Sequence, residues 1–288
     1  MRAIYKRELR SYFQSMTGCV FVAFLVAFTG VYFTAYNLNA GYPYFSYTLS
    51  GSLFVFIVGI PLITMRSFAE ERKNKTDQLL FTSPVSLTKV VLGKYLAIIT
   101  VVAIPILIFC LFPLIIQMNG TAYLKVDYIS LLVFFLLCCV YAAIGMFLSS
   151  LTESPIIAYI STFGVLLILY LWDGIIEFLP SSDIGCMFGL LVILSLIIFY
   201  VYRMTSNWLI SAVLEALSVI ACAAVYFVKP ELYDNLLTNM LGKLALADVF
   251  TDIVNTQIVD MSGVMLYLSL IVIFLFLTVQ AIQKRRWS

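Results

Sequence analysis

Apolar residues along this chain run in long blocks, with short charged or polar intervals between them. The blocks cover residues 17–36, 50–65, 95–116, 128–148, 155–172, 186–202, 209–228 and 263–282. Each is near the roughly 20 residues that a helix needs to cross a hydrocarbon layer of ~30 Å. Strands of a membrane barrel would instead alternate apolar and polar positions over about 10 residues, and no such alternation is present. The pattern predicts an all-α polytopic membrane protein of about eight transmembrane helices, with 1–288 as a single membrane domain.

Three segments break the pattern. Residues 1–16 interleave Arg2, Lys6, Arg7 and Arg10 with Ile4, Tyr5, Leu9, Tyr12 and Phe13. The apolar run that follows is too long for the core of a secretory signal. The spacing predicts an interfacial amphipathic helix leading into a true span. Residues 66–94 form a long charged loop, whose last part, 84–94, is expected to lead helically into the third span. In 229–261, Leu232, Leu236, Leu237, Met240, Leu241 and Leu244 recur at helical spacing, continued by Val249, Phe250, Ile253 and Val254. That segment is too polar to span and predicts short amphipathic or re-entrant helices at the outer interface.

Composition strengthens the membrane assignment. Hydrophobic residues make up 63% and charged residues 11%, with a mean hydropathy of +1.05; a soluble domain is nearer half apolar and a quarter charged. Charge orients the chain. With both termini cytoplasmic, Arg2, Lys6, Arg7, Arg10, Arg66, Arg72, Lys73, Lys75, Lys89, Lys94, Arg203 and 284–286 fall inside. Only Lys125, Lys229 and Lys243 fall outside, which divides the 17 basic residues fourteen to three, the skew that the positive-inside rule predicts. The outer segments carry the acids Asp127, Asp173, Glu177, Asp183, Glu231, Asp234, Asp248, Asp252 and Asp260.

Candidate chemistry is sparse. The chain has no histidine, the commonest general base and metal ligand. Its six cysteines lie in or beside apolar runs without a C-x-x-C pair, as expected of buried thiols. Ser67 followed by Glu70 fits a capping box, and Glu71 with Lys75 fits an i,i+4 ion pair. Leu79, Leu80 and Phe81 would give that helix an apolar tip, ended at Ser83-Pro84 because the residue before proline avoids the helical region. Such an element, held between two spans, can pass motion from a soluble partner to the membrane; an ordinary solvated loop is the alternative. Glu215 lies inside the seventh run, where an ionisable residue points to function, unless it reaches toward Arg203 at the interface. Gly185 and Gly189 permit close helix packing, and Pro61, Pro105 and Pro113 predict kinks.

The string TMRSFAEERKNKTDQLLFTSPVS (64–86) resembles the loop between the second and third spans of ABC type-2 permeases, nearest the gliding-motility, GldF-like branch. YKRELRSYF (5–13) resembles that family's interfacial helix. VLGKYLA (91–97) and IGMFLSSLTESPIIA (144–158) extend the likeness. The resemblance implies an ABC type-2 exporter-like fold in the cell membrane, in which the loop is a coupling helix docking into a cytoplasmic ATPase. The coupling residues would be Ser67, Glu70, Glu71, Arg72, Lys73, Thr76, Asp77, Leu79, Leu80, Ser83 and Pro84, with Thr152 and Glu153 in the next cytoplasmic turn. The family's usual six spans leave 186–228 as an extra pair, and 229–261 corresponds to its extracellular re-entrant helices.

It also implies an exporter permease that is not itself an enzyme. Neither Gly93-Lys94 nor Gly242-Lys243 completes the phosphate-cradling G-x-x-x-x-G-K-[ST] motif, so ATP and Mg would be bound by a partner ATPase in two copies, and no cofactor or metal by this chain. A second copy or a related permease, an auxiliary extracytoplasmic membrane subunit such as some relatives use, and the lipid bilayer complete the expected partners, with no nucleic acid. A secondary transporter using Glu215, and a non-transporting ABC-type subunit relaying force to a partner, are the alternative readings.

Overall fold

The computed structural model describes residues 1–76, 86–178, 183–205, 208–228, 236–242, 245–257 and 260–287. All eight apolar runs are helical. In chain order the helices are α1 (Arg2–Gln14), α2 (Thr17–Phe33), α3 (Ser46–Thr64), α4 (Ala69–Lys73), α5 (Leu87–Phe109), α6 (Phe112–Asn119) and α7 (Leu124–Leu151). They continue as α8 (Pro155–Tyr170), α9 (Trp172–Glu177), α10 (Asp183–Thr205), α11 (Trp208–Val228), α12 (Leu236–Gly242), α13 (Asp248–Thr256) and α14 (Met261–Trp287). Among the described residues, five stretches of helix, some with a turn inside them, are long and apolar enough to cross a membrane: Thr17–Asn39, Ser46–Lys73, Leu87–Asn119, Leu124–Leu151 and Met261–Arg285. α8, at 16 residues, is shorter; α10 and α11, of 23 and 21 residues, cover the sixth and seventh runs.

Two compact units emerge, Met1–Leu169 with Leu246–Ser288, and Tyr170–Ala245. At the centre of the first, α3 packs on α7 through Phe56, whose ring meets Phe134 edge-on at 4.8 Å and lies 6.3 Å from Phe109. Close approach is set by Gly145, where an added Cβ would collide with Thr64 and come within 3.0 Å of Thr162. Amphipathic α13 buries Phe250, Ile253 and Val254 on one face, and the Phe250 ring lies 5.3 Å from Phe134. The loop before α13 is fastened by the Tyr267 hydroxyl, which donates to the Leu246 carbonyl at 2.5 Å. Between α11 and α14 the described helices are α12 and α13; residues 229–235, 243–244 and 258–259 lie outside the described set.

The end of this unit that carries residues 37–45 and 119–127 is built on two buried polar groups. α2 runs into a π-helical turn, Thr34–Asn39. There the buried Asn37 side chain donates to the carbonyls of Tyr42 and Tyr44 and accepts from Thr48 at 2.5 Å. Asp127, expected on the outer acidic surface, is instead fully buried. Its Oδ1 accepts the Phe45 backbone N–H at 2.8 Å, meeting one of the orphan donors at the start of α3. That contact explains why α3 begins at Ser46 rather than near residue 50. The third run is divided: α5 stops at Phe109 and α6 starts at Phe112 with Pro113 in its first turn, where a missing N–H costs nothing.

The second unit contains the α10–α11 pair with α9 and α12. The Trp172 indole donates to the Leu241 carbonyl at 2.8 Å. Cys186 is buried against Met187, Leu190 and Tyr226.

Candidate functional site

At the opposite end of the first unit, the segments predicted to face the cytoplasm meet. Met16, in the left-handed region at φ 55°, turns the chain between α1 and α2. One face of α1 then lies along α5. Tyr5 and Thr100 share a hydroxyl hydrogen bond of 3.1 Å, and Ile4 sits where a Gly93 Cβ would come within 3.2 Å of it. From the same face Tyr12 donates to the Ile63 carbonyl at 3.2 Å. α1 is therefore anchored to α5 and to the end of α3.

α3 leads through a turn at 65–68 into the five-residue α4. This turn hangs on buried Ser149 of α7. The Ser149 hydroxyl accepts from the N–H groups of Phe68 and Ala69 at 3.3 and 3.2 Å and donates to the Met65 carbonyl at 3.1 Å. Arg66 holds Glu70 through two contacts of 2.6 and 2.9 Å and donates to Ser15 and Thr17. Arg72 donates to the Thr152 carbonyl at 3.4 Å. Glu153 pairs with Arg285 of α14, so the turn at 152–154 joins the same assembly.

Lys94 lies at its centre, with a side chain only 1% exposed. Its Nζ meets Glu8 at 3.2 Å and Glu71 at 2.9 Å, donates to the Ser67 carbonyl at 2.7 Å, and sits 5.1 Å from the centre of the Phe68 ring. Arg7 bridges the same two carboxylates at 2.7 and 2.9 Å. Its hydrogen bond to Glu8, and the charges of Glu8 and Glu71, raise the Arg7 pKa further above its ordinary value, so the guanidinium remains charged. Two cations and two carboxylates make an electrically balanced quartet. Beside it opens a cleft of about 610 Å³ between α1 and α4, bordered by Arg66, Glu70, Asn74 and Thr76.

Several expectations change. Ser67 does not cap α4: its hydroxyl turns back to the Thr64 carbonyl at 2.8 Å, Phe68 occupies the cap position, and Glu70 is taken by Arg66. Glu71 pairs with Lys94 and Arg7 rather than Lys75, because α4 ends at Lys73 and Lys75 adopts φ 56°, which destroys the i,i+4 geometry. Lys73 and Thr76 remain exposed. Asp77, Leu79, Leu80, Ser83 and Pro84 lie outside the described residues. Glu215 accepts a hydrogen bond from Ser195 at 2.8 Å, which ties α11 to α10 across the apolar pair and supplies the partner sought in Arg203.

Sequence reasoning passed over Lys94, Ser149, Arg7 and Glu8 as site residues. A signal existed for the ion pair: Lys94 adjoins an apolar run without a local counter-charge, and Glu8 is the lone acid of a basic helix. Ser149 carried none, since a serine near a helix end has many ordinary roles.

The described residues are helical, and five of their helical stretches are long and apolar enough to cross a bilayer, as in an integral multi-pass membrane protein. Residues 26–279 match the family described as ABC-2 family transporter protein, and the chain belongs to that family of transport permeases. No curated protein matches it, and no solved structure does.

Proposed function

We propose that this chain is the membrane-spanning permease subunit of an ATP-driven ABC exporter, coupled to a separate ATPase through the loop at 66–94. Membership of the ABC-2 transporter family carries the reading. It is supported by α4, a charged helix whose base is held by Ser149 and Arg66 while Lys73 and Thr76 face outward. A partner pressing on that surface would move the inner ends of α3, α5 and α7 together. In this reading α10 and α11 are an added pair that brings the spans to eight, with both termini cytoplasmic, in a GldF-like branch of the family. Two ATPase copies supply ATP and Mg binding, a second permease completes the membrane portion, and an auxiliary extracytoplasmic subunit joins as in some relatives. Ser67, Glu70, Glu71 and Arg72 shape the coupling element, and Thr152 and Glu153 support it. Rigid-body motion of packed helices then opens a path alternately to each side.

Affinity purification in mild detergent, from cells expressing the chain with its neighbouring genes, tests this reading. The native chain is expected to bring down an ATPase, and Lys73→Glu, on the exposed side of α4, to weaken that association while leaving the fold intact. A chain that purifies alone, with no nucleotide-dependent activity, overturns the proposal.

A further inference from the structure

We infer that Lys94 is the positioning residue that makes α1, the coupling turn and α5 respond to the ATPase as one body; this rests on the permease reading above. An ammonium has three protons, and the three acceptors around Lys94 come from two distant parts of the chain: Glu8 from α1, and the Ser67 carbonyl and Glu71 from the turn and α4. At 1% exposure the ammonium depends on these acceptors rather than on water. Displacing α4 alone would strip Glu71 from a buried cation, and displacing α1 alone would strip Glu8. The favoured motion is the one that keeps all three. Arg7 reinforces this from the exposed side by binding the same two carboxylates.

The neighbouring charged contacts are less enclosed. Arg66, 26% exposed, binds Glu70 and reaches Ser15 and Thr17, and Arg72 donates to the Thr152 carbonyl at 3.4 Å. Lys94 belongs to α5 itself, so a displacement of α4 enters a long apolar helix directly and passes to α1 in the same step. Its location also leaves the outer face of α4 free: Lys73 is exposed, so a partner can dock there without competing for the ammonium.

The test is hydrogen exchange on the full chain co-purified with its ATPase in nanodiscs, with and without ATP plus vanadate. Native protein is compared with Lys94→Met and with the triple variant Lys94→Met, Glu8→Gln, Glu71→Gln. The triple variant leaves no member of the trio charged, so it separates transmission from simple misfolding. In the native complex, trapping should change exchange in segments 66–76, 2–14 and 87–95 together. In the triple variant the change at 66–76 should persist while that at 2–14 is lost. A triple variant whose α1 still responds as in the native chain overturns the inference, as does a native complex whose α1 is silent while 66–76 responds. If no ATPase accompanies the native chain and no segment responds, the permease reading itself fails and takes the inference with it.

Discussion

A lysine ammonium withdrawn from water is stable only while acceptors surround it, and Lys94 has three within 3.2 Å. Removing one member of a buried ion pair leaves the other's charge uncompensated, at a cost of about 3–5 kcal/mol. Lys94→Met leaves Glu8 and Glu71 with Arg7 alone and is therefore expected to lower the stability of the detergent-solubilised protein by up to that order in chemical unfolding. The variant that also carries Glu8→Gln and Glu71→Gln should recover most of the loss; equal destabilisation of the two would show that the charges do not interact. Ser149 presents a smaller case of the same physics. Ser149→Ala leaves the Phe68 and Ala69 N–H groups without their buried acceptor, and an unsatisfied buried donor costs about 1–3 kcal/mol. Faster exchange at those two amides, with α7 unchanged, is the expected signature. The sequence pattern placed Glu71 on the right loop but beside the wrong lysine. Spacing along a chain registers Lys75, four residues on, and is blind to Lys94, which folding brings within 2.9 Å.

Helices were the most legible elements, because an apolar run of some 20 residues in lipid has few ways to satisfy its backbone except internally. Their ends were less legible, since contacts from distant residues fix them. α3 starts early because Asp127 meets the Phe45 N–H across 82 residues of sequence, and α4 stops at Lys73 because the backbone turns left-handed at Lys75. Two glycines separate local propensity from packing. At Gly30 an added Cβ meets nothing within 4 Å, whereas at Gly145 it runs into Thr64 and Thr162. Gly30→Ala should be neutral or stabilising by up to about 1 kcal/mol, the helix-propensity difference. Gly145→Ala should instead destabilise by about 1–3 kcal/mol, the usual cost of overpacking. Thermal unfolding of the two side by side decides the matter, and similar midpoints would mean that α3 and α7 can separate at Gly145 without penalty.

Over the whole molecule, the basic segments at 2–15, 66–76 and 284–286 were assigned to one side by charge alone. The structure joins representatives of each at one end of the first unit, through Arg7 with Glu71, Arg66 with Ser15, and Arg285 with Glu153. Sidedness follows as a labelling experiment: in intact cells a membrane-impermeant maleimide should modify Lys125→Cys, and Lys75→Cys only after permeabilisation. The reverse pattern would invert the proposed topology. What charge could not foresee is that Asp127 would leave the surface for the interior, because the acids of an outer loop look alike until one is needed to complete a helix. That acid has a mechanical consequence. α7 grips the start of α3 through Asp127 and its exit through Ser149, two fixings 22 residues apart on α7, or about 33 Å along a helix, close to the thickness of the hydrocarbon layer. A rod bolted to its neighbour at both ends cannot slide like a piston; it can only tilt or twist with that neighbour. Any push received at one end of the strut would thus reach the other as a rotation of the two helices together, arriving where buried Asn37 binds Tyr42, Tyr44 and Thr48.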